Sequence, residues 1–379
     1  MAAILCALAA FFLSFRVSGA LSVNLGASLL AYAAAMWFLL RGSGRRAAIT
    51  IAGAACLLAL VIAPTVMDTL HARSARPEPE DLVRRIGRVS ISLQTVDPGT
   101  GLAGLAPLER IWQGVRVVAL GEATRGTSEF FRMKHRLTEL LVTRMGFRHI
   151  ALELEERPAR PIEEYIQGDR AINPVPALDW PWGTREMAAM VDWMRSYNAS
   201  APAAARVHFH GIDYQGERRD FRMAQNTLAL LERLEPESRV ILWAHNAHVS
   251  SGPGWMGSYL KNAMHNQIYL TGFEFHHGRF TSNLNWVRTY QAETADGRYY
   301  AAALQRIGPP ILFLDFRTME QDAAVEAWLR EARFAHELQE PYGLLRLNPS
   351  WVRTNESWLS LFDGMVYIDE STPARLFQR

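Results

Sequence analysis

Short, mostly apolar runs alternate along the chain with longer segments whose apolar residues recur every three or four positions, the pattern of buried strands alternating with amphipathic helices. Strands are predicted at residues 115–120, 149–153, 207–213, 239–244, 311–317 and 363–369. Helices are predicted at 80–94, Ser128–Met145, 162–167, 185–197, a segment ending near Leu234, and 322–333. The helix from Ser128 opens on a polar residue and meets a glycine stop at Gly146. In the segment from Arg185, Met187, Val191 and Met194 recur at helical spacing. Residues 268–275 and 279–285 bracket His276-His277-Gly278 as a predicted hairpin. This order predicts an α/β fold: a mixed, largely parallel sheet flanked by helices, with a helical insertion.

Residues 1–70 follow a different pattern, with apolar runs at 1–15, 20–40 and 47–67 separated by short arginine-bearing links. The second and third runs contain no charged residue and reach the roughly 20 residues that a bilayer core demands. The first is nearer in length to a signal-peptide core, so it is read either as a signal peptide or as a further span. Two to three N-terminal transmembrane helices are therefore expected before the α/β domain, as a multi-pass anchor in the cell membrane. Arg41, Arg45 and Arg46 in one link favour a cytoplasmic side for it, which sends the later chain outward and makes the soluble domain extracytoplasmic. His71, Arg73 and Arg76 argue for the opposite orientation. The expected division is a transmembrane region at 1–70, a linker with Pro77 and Pro79 and a lead-in helix at 71–107, and the α/β domain at 108–379.

Composition narrows the chemistry. A formal net charge of +2 over 379 residues gives no electrostatic footprint for nucleic acid, which leaves a small molecule and the membrane as expected partners and oligomeric state open. Cys6 and Cys56, the two cysteines, both fall in the apolar N-terminal runs. The α/β domain is thereby excluded from disulfide, thiolate-nucleophile and cysteine-metal chemistry. Eleven tryptophans suit aromatic-lined clefts and core packing equally well.

Four predicted strands end in polar groups: Glu122 with Arg125, Glu153, Asp213 with Tyr214 and Gln215, and His245 with His248. One acid after a strand is ordinarily a helix cap. Their convergence is the signal, because open α/β sheets bind ligands outside the carboxyl ends of their strands. Two imidazoles with carboxylates can hold zinc, but the helical His-Glu-x-x-His arrangement is absent.

Several stretches resemble the erythromycin esterase family: Leu120-Gly-Glu-Ala-Thr-Arg-Gly126, Glu129-Phe-Phe-Arg-Met-Lys-His-Arg136, Gly146-Phe-Arg-His-Ile-Ala-Leu-Glu153, Trp180-Pro-Trp182 and Trp243-Ala-His-Asn-Ala-His248. Met256-Gly-Ser-Tyr-Leu260, Gly272-Phe-Glu-Phe275, Leu314-Asp-Phe-Arg317 and Asp363-Gly-Met-Val-Tyr367 extend the resemblance over residues 80–375. It implies an esterase-like hydrolase that works without an obligatory metal or cofactor, with Glu122, Glu153, His245 and His248 at the active site. Trp182, Asp213 and Gln215 are the candidate substrate contacts. Where the family has a histidine, held to be the base that activates water, this chain has Arg125, and a guanidinium has no lone pair to take a proton.

Three accounts of Arg125 follow from the residues. The base can move to His245, His248 or a carboxylate while Arg125 binds an oxyanion or an anionic substrate. Alternatively, Arg125 pairs with Glu122 and Glu153 in a structural ion cluster. In the third account the pocket binds a ligand without turning it over, as a non-catalytic relative of the esterases. Loss of a general base costs about 10² to 10⁴ in rate, which permits a slow hydrolase.

Overall fold

A computed structural model describes residues 75–283, 287–292, 294–338 and 353–377. The apolar runs read as membrane spans lie outside the described residues. Among the described residues, no helix is long and apolar enough to cross a membrane. Of the described residues, 76–281, 289–292, 294–337 and 354–377 form one compact unit.

The strands are β1 (Ile91–Ser92), β2 (Val117–Leu120), β3 (His149–Leu152), β4 (His208–Gly211), β5 (Val240–Trp243), β6 (Ile268–Asn283), β7 (Val287–Gln291), β8 (Ile311–Asp315), β9 (Arg333–His336), β10 (Arg353–Glu356) and β11 (Gly364–Ser371). The main sheet has the order β1-β8-β11-β6-β2-β5-β3-β4, with β7 paired to β6 beside this path; β9 and β10 form a separate ribbon. From β11 to β4 the neighbours are parallel, whereas β8 and β1 are antiparallel. The sheet is thus mixed and largely parallel, as its continuous apolar runs predict.

Chain order reverses around β2 and β5. From β2 the chain passes over β5 to reach β3, and from β5 it passes back over β2 to reach β6. Right-handed crossovers in opposite directions place their helices on opposite faces, which opens a crevice at the carboxyl ends of these two strands. Register brings those ends level: Trp243 lies opposite both Leu120 and Leu152. Glu122, Glu153 and His245 consequently emerge side by side.

Alternation along the central strands separates two core layers. Val117 and Ala119 of β2, Val240 and Leu242 of β5, and Ile268 and Leu270 of β6 join one cluster with Met223, Leu260 and Trp358. Their neighbours Leu120 and Trp243 turn to the other face, where Phe131 packs on Trp243 with ring centroids 5.4 Å apart. Phe131 belongs to the helix Ser128–Met145, which stops at left-handed Gly146 (φ 75°).

That helix is buried on nearly all sides, so its polar side chains need partners inside the protein. Arg136 donates to the carbonyls of Thr95 and Gly101, and Glu139 accepts from the Gly99 N–H. Glu129 accepts from the Thr372 N–H at 2.7 Å and its hydroxyl at 2.6 Å. The segment around Thr372 also closes the loop after β2. Gly126 O accepts from Thr281 N–H (2.9 Å) and Ala374 N–H (2.8 Å), and Thr127 bridges Pro373.

The expected hairpin at His276-His277-Gly278 is not formed. β6 runs unbroken from Ile268 to Asn283, and Gly278 takes a positive φ of 128° within it, where β6 lies against Ser371 of β11. A Cβ at Gly278 would lie 2.2 Å from the Ser371 carbonyl oxygen, so this glycine serves close strand approach rather than a turn.

A Cβ at Gly126 would fall 1.8 Å from the Thr281 carbonyl oxygen and 2.8 Å from the Trp180 ring. At Gly146, nothing lies within 4 Å and only the left-handed backbone opposes a side chain. Gly126→Ala should therefore lower unfolding free energy by roughly 3 kcal/mol or more, and Gly146→Ala by about 1 kcal/mol. Urea denaturation of the two variants checks this, and equal losses would contradict it.

Candidate active site

Glu153 sits at the centre of the crevice, 3 % exposed, at the carboxyl end of β3. Three cations reach its Oε1: Arg125 from the loop after β2, Arg219 Nη2 at 2.9 Å, and His248 Nε2 at 3.3 Å. Its Oε2 accepts from the backbone N–H of His245 at 2.8 Å. Burial alone would raise this carboxyl, but Arg125, His248 and Arg219 outweigh it and hold it well below the usual carboxylate range. Glu153 is therefore an anion at working pH and cannot supply an acid.

Arg219 opens the helix Arg219–Arg233 and forks onto Asp213, with Nε to Oδ1 and Nη2 to Oδ2 both at 2.7 Å. Gln215 donates to the same Asp213 Oδ2 at 2.6 Å. His248 is gripped at both ring nitrogens, Nδ1 lying 2.8 Å from Asp220 Oδ1. Burial opposes its charge, but Glu153 and Asp220 prevail and raise its pKa to about 9. The ring is thus an imidazolium donating to two carboxylates, and the 3.4 Å approach of Arg219 Nη1 to Nε2 is a contact between two cations rather than a hydrogen bond. Both His248 ring nitrogens are thus engaged by carboxylates.

His245 differs. Its Nδ1 lies 3.0 Å from Glu337 Oε1, which requires a proton on Nδ1. The Ala247 N–H also points at Nδ1 from 3.4 Å, but a nitrogen that donates to a carboxylate cannot accept as well, so the shorter, charge-assisted contact decides the tautomer. The lone pair then resides on Nε2, which is buried and has no hydrogen-bond partner among the described residues. Glu337 is delivered by β9, whose last residue His336 is clamped by Glu274 of β6: Nδ1 to Oε1 at 2.6 Å, and N–H to Oε2 at 2.8 Å.

Glu122 lies behind this group and is fully buried. Its Oε2 accepts from Lys134 Nζ at 2.7 Å and Trp243 Nε1 at 3.0 Å, while its Oε1 has no partner among the described residues. Desolvation lowers Lys134 to about 8 despite Glu122, and its ammonium stands 4.4 Å from the Trp243 ring centroid. Arg125 pairs with Glu153 and does not bridge to Glu122. Its other N–H groups carry no hydrogen bond among the described residues.

The structure thus gathers Glu122, Arg125, Glu153, His245, His248 and Asp213 at one sheet edge. Gln215 stands at its exposed rim. Trp182 is buried, and its ring packs edge-on against Phe131 and Trp243, at 6.4 and 6.2 Å. A cavity of about 340 Å³ adjoins Asp213 and is lined also by Glu156, His210, Asn226 and Arg233. Arg219, Asp220, Lys134 and Glu337 escape the sequence reading. Lys134 lies in a quoted motif, but no spacing ties the others to the strand ends.

The charge on His248 has a consequence for stability. Because its folded pKa of about 9 exceeds the ordinary 6.5, its contribution is fully present below pH 6.5 and is lost as pH rises through 9. The thermal midpoint should fall over that interval, by the equivalent of at most roughly 3 kcal/mol, and His248→Gln should flatten the decline. Thermal melts from pH 6 to pH 10 measure both; an unchanged slope in the variant would remove His248 as the cause.

Known proteins agree with this architecture. Three solved structures share the fold: a succinoglycan biosynthesis protein (TM-score 0.70, 21% identity, covering 79% of this chain and 98% of that one), a Bacillus cereus protein (0.67, 20%, 80% and 100%), and a mutant of the erythromycin esterase EreC in its open conformation (0.54, 14%, 76% and 99%). Erythromycin esterase type II of Escherichia coli is 31% identical over 108 residues, which are 28% of this chain and span a quarter (25%) of that relative's length. The family model for erythromycin esterase matches residues 142–218 and 214–371, and by that match the chain belongs to the erythromycin esterase family.

Proposed function

We propose that this protein hydrolyses an ester or related acyl bond of a small molecule, with His245 as general base in place of the loop histidine that Arg125 replaces. The observation that carries the reading is the buried Nε2, unpartnered among the described residues, of a histidine whose Nδ1 faces Glu337. A buried nitrogen lone pair without a partner requires a ligand or water to satisfy it.

In this mechanism Nε2 takes a proton from water as the water oxygen adds to the acyl carbon. The carbonyl π electrons move to oxygen, and the unengaged N–H groups of Arg125 donate to that oxyanion. Glu337 stabilises the transient imidazolium, as a carboxylate does behind any histidine base. Collapse of the tetrahedral intermediate expels the alkoxide, which takes the proton from Nε2; the products are acid and alcohol. Glu153 and His248 stay charged throughout and hold the backbone of His245 and the guanidinium of Arg125 in place. A tether through the apolar runs of residues 1–70 would keep this reaction at a membrane, and reporter fusions after residue 70 read which side it faces.

A panel of activated esters and macrolides, assayed with the full chain, tests the proposal. His245→Asn should lower kcat/KM by about 10² to 10⁴. Glu337→Ala should lower kcat by roughly 10² with KM little changed, since the tautomer is no longer fixed. Arg125→Gln should cost about 10² to 10³ in kcat, the loss typical of one oxyanion donor. Full activity in His245→Asn rules out the base assignment. Absence of turnover in the natural protein with gain in Arg125→His would identify a silenced esterase site that binds without reacting.

A further inference from the structure

A second group of ligand-bearing side chains lies on the paired strands β6 and β11, apart from the Glu153 cluster. Ile368 stands opposite Phe275 and Glu370 opposite His277, so Asp369 is in register with His276. The Nδ1 atoms of His276 and His277 are 3.2 Å apart, and Asp369 Oδ1 is 3.8 Å from His276 Nδ1. One nitrogen from each histidine and one oxygen from Asp369 all fall within 4.8 Å of each other. All three residues are half-buried.

His276 has a defined tautomer. Its Nε2 lies 3.1 Å from the Ala295 carbonyl oxygen, which can only accept, so Nε2 carries the proton. The Nδ1 lone pair of the neutral ring therefore points toward His277 and Asp369. A carbonyl or carboxylate on the far nitrogen is the usual partner that orients a metal-binding imidazole. Asp369 has an equivalent support, since Tyr367 donates to its Oδ1 at 2.8 Å.

Distance selects the kind of ion. Bonds of about 2.0 to 2.1 Å in a tetrahedron put ligand atoms about 3.3 Å apart, close to the 3.2 and 3.8 Å observed here. Calcium or magnesium would call for several oxygen ligands, which this group does not offer. We propose that His276 Nδ1, His277 Nδ1 and Asp369 bind one divalent transition ion of the zinc class, with water in the fourth position. The ion would fasten two neighbouring parallel strands to each other.

Chelator-treated full-length protein is titrated with Zn²⁺ by calorimetry and with Co²⁺ by visible absorption. One saturable equivalent, with the intense visible bands of tetrahedral cobalt, is expected. The thermal midpoint should rise by roughly 3–6 °C in excess zinc. His277→Ala and Asp369→Asn should abolish the cobalt bands and weaken zinc binding by at least about tenfold, while His245→Asn and His149→Ala leave both unchanged. No saturable binding by the natural protein overturns the proposal, as does binding that survives in His277→Ala and Asp369→Asn or is lost in His245→Asn or His149→Ala.

Discussion

A carboxylate buried as deeply as Glu153 is tolerable only if its charge is compensated, and three separate elements provide for it. Arg125 comes from the loop after β2, Arg219 from the start of a helix after β4, and His248 from the turn after β5. Asp213 and Asp220 in turn balance two of these cations. The cluster contains three anions and three cations, so no member can be removed without stranding a buried charge. Strand register and electrostatics therefore constrain each other, because the cluster neutralises itself only when β2, β3 and β5 end level.

This constraint explains how an arginine fits where a histidine would act as base. As one of three cations around Glu153, Arg125 is part of the charge balance, and a neutral imidazole in its place would leave the carboxylate less compensated. Glu122, across β5 from Glu153, is balanced separately by Lys134 and Trp243, so the two carboxylates do not compete for the guanidinium. What separates His245 from His248 is its surroundings. One meets a single carboxylate and retains a lone pair, whereas the other meets two and retains none.

The strand ends were legible in the sequence because each is marked locally, by an apolar run that stops at an acid or a histidine. Helix Ser128–Met145 was legible too, since Gly146 terminates it as its position suggests. Glu337 was not, because it reaches His245 only through the β9 ribbon and the Glu274 clamp, and no sequence spacing encodes that route. Arg219 and Asp220 read as an ordinary helix start. Gly278 misled: glycine between two strand-like runs suggests a turn, but close approach of Ser371 needs the missing side chain equally. Trp182 was named from a motif, and tryptophan suits a cleft and a core equally; its ring is packed in the core.

The loop that carries Arg125 is held at its back by Ala374 and Pro373, while Thr372 caps Glu129 in the next turn of chain. These partners lie far downstream of the loop. During synthesis on the ribosome, the sheet edge and its first helix can be complete before the segment that fastens them has been translated. The site thus becomes rigid only once that segment has emerged, and a nascent chain lacking it would hold its guanidinium and carboxylates without yet having fixed their geometry.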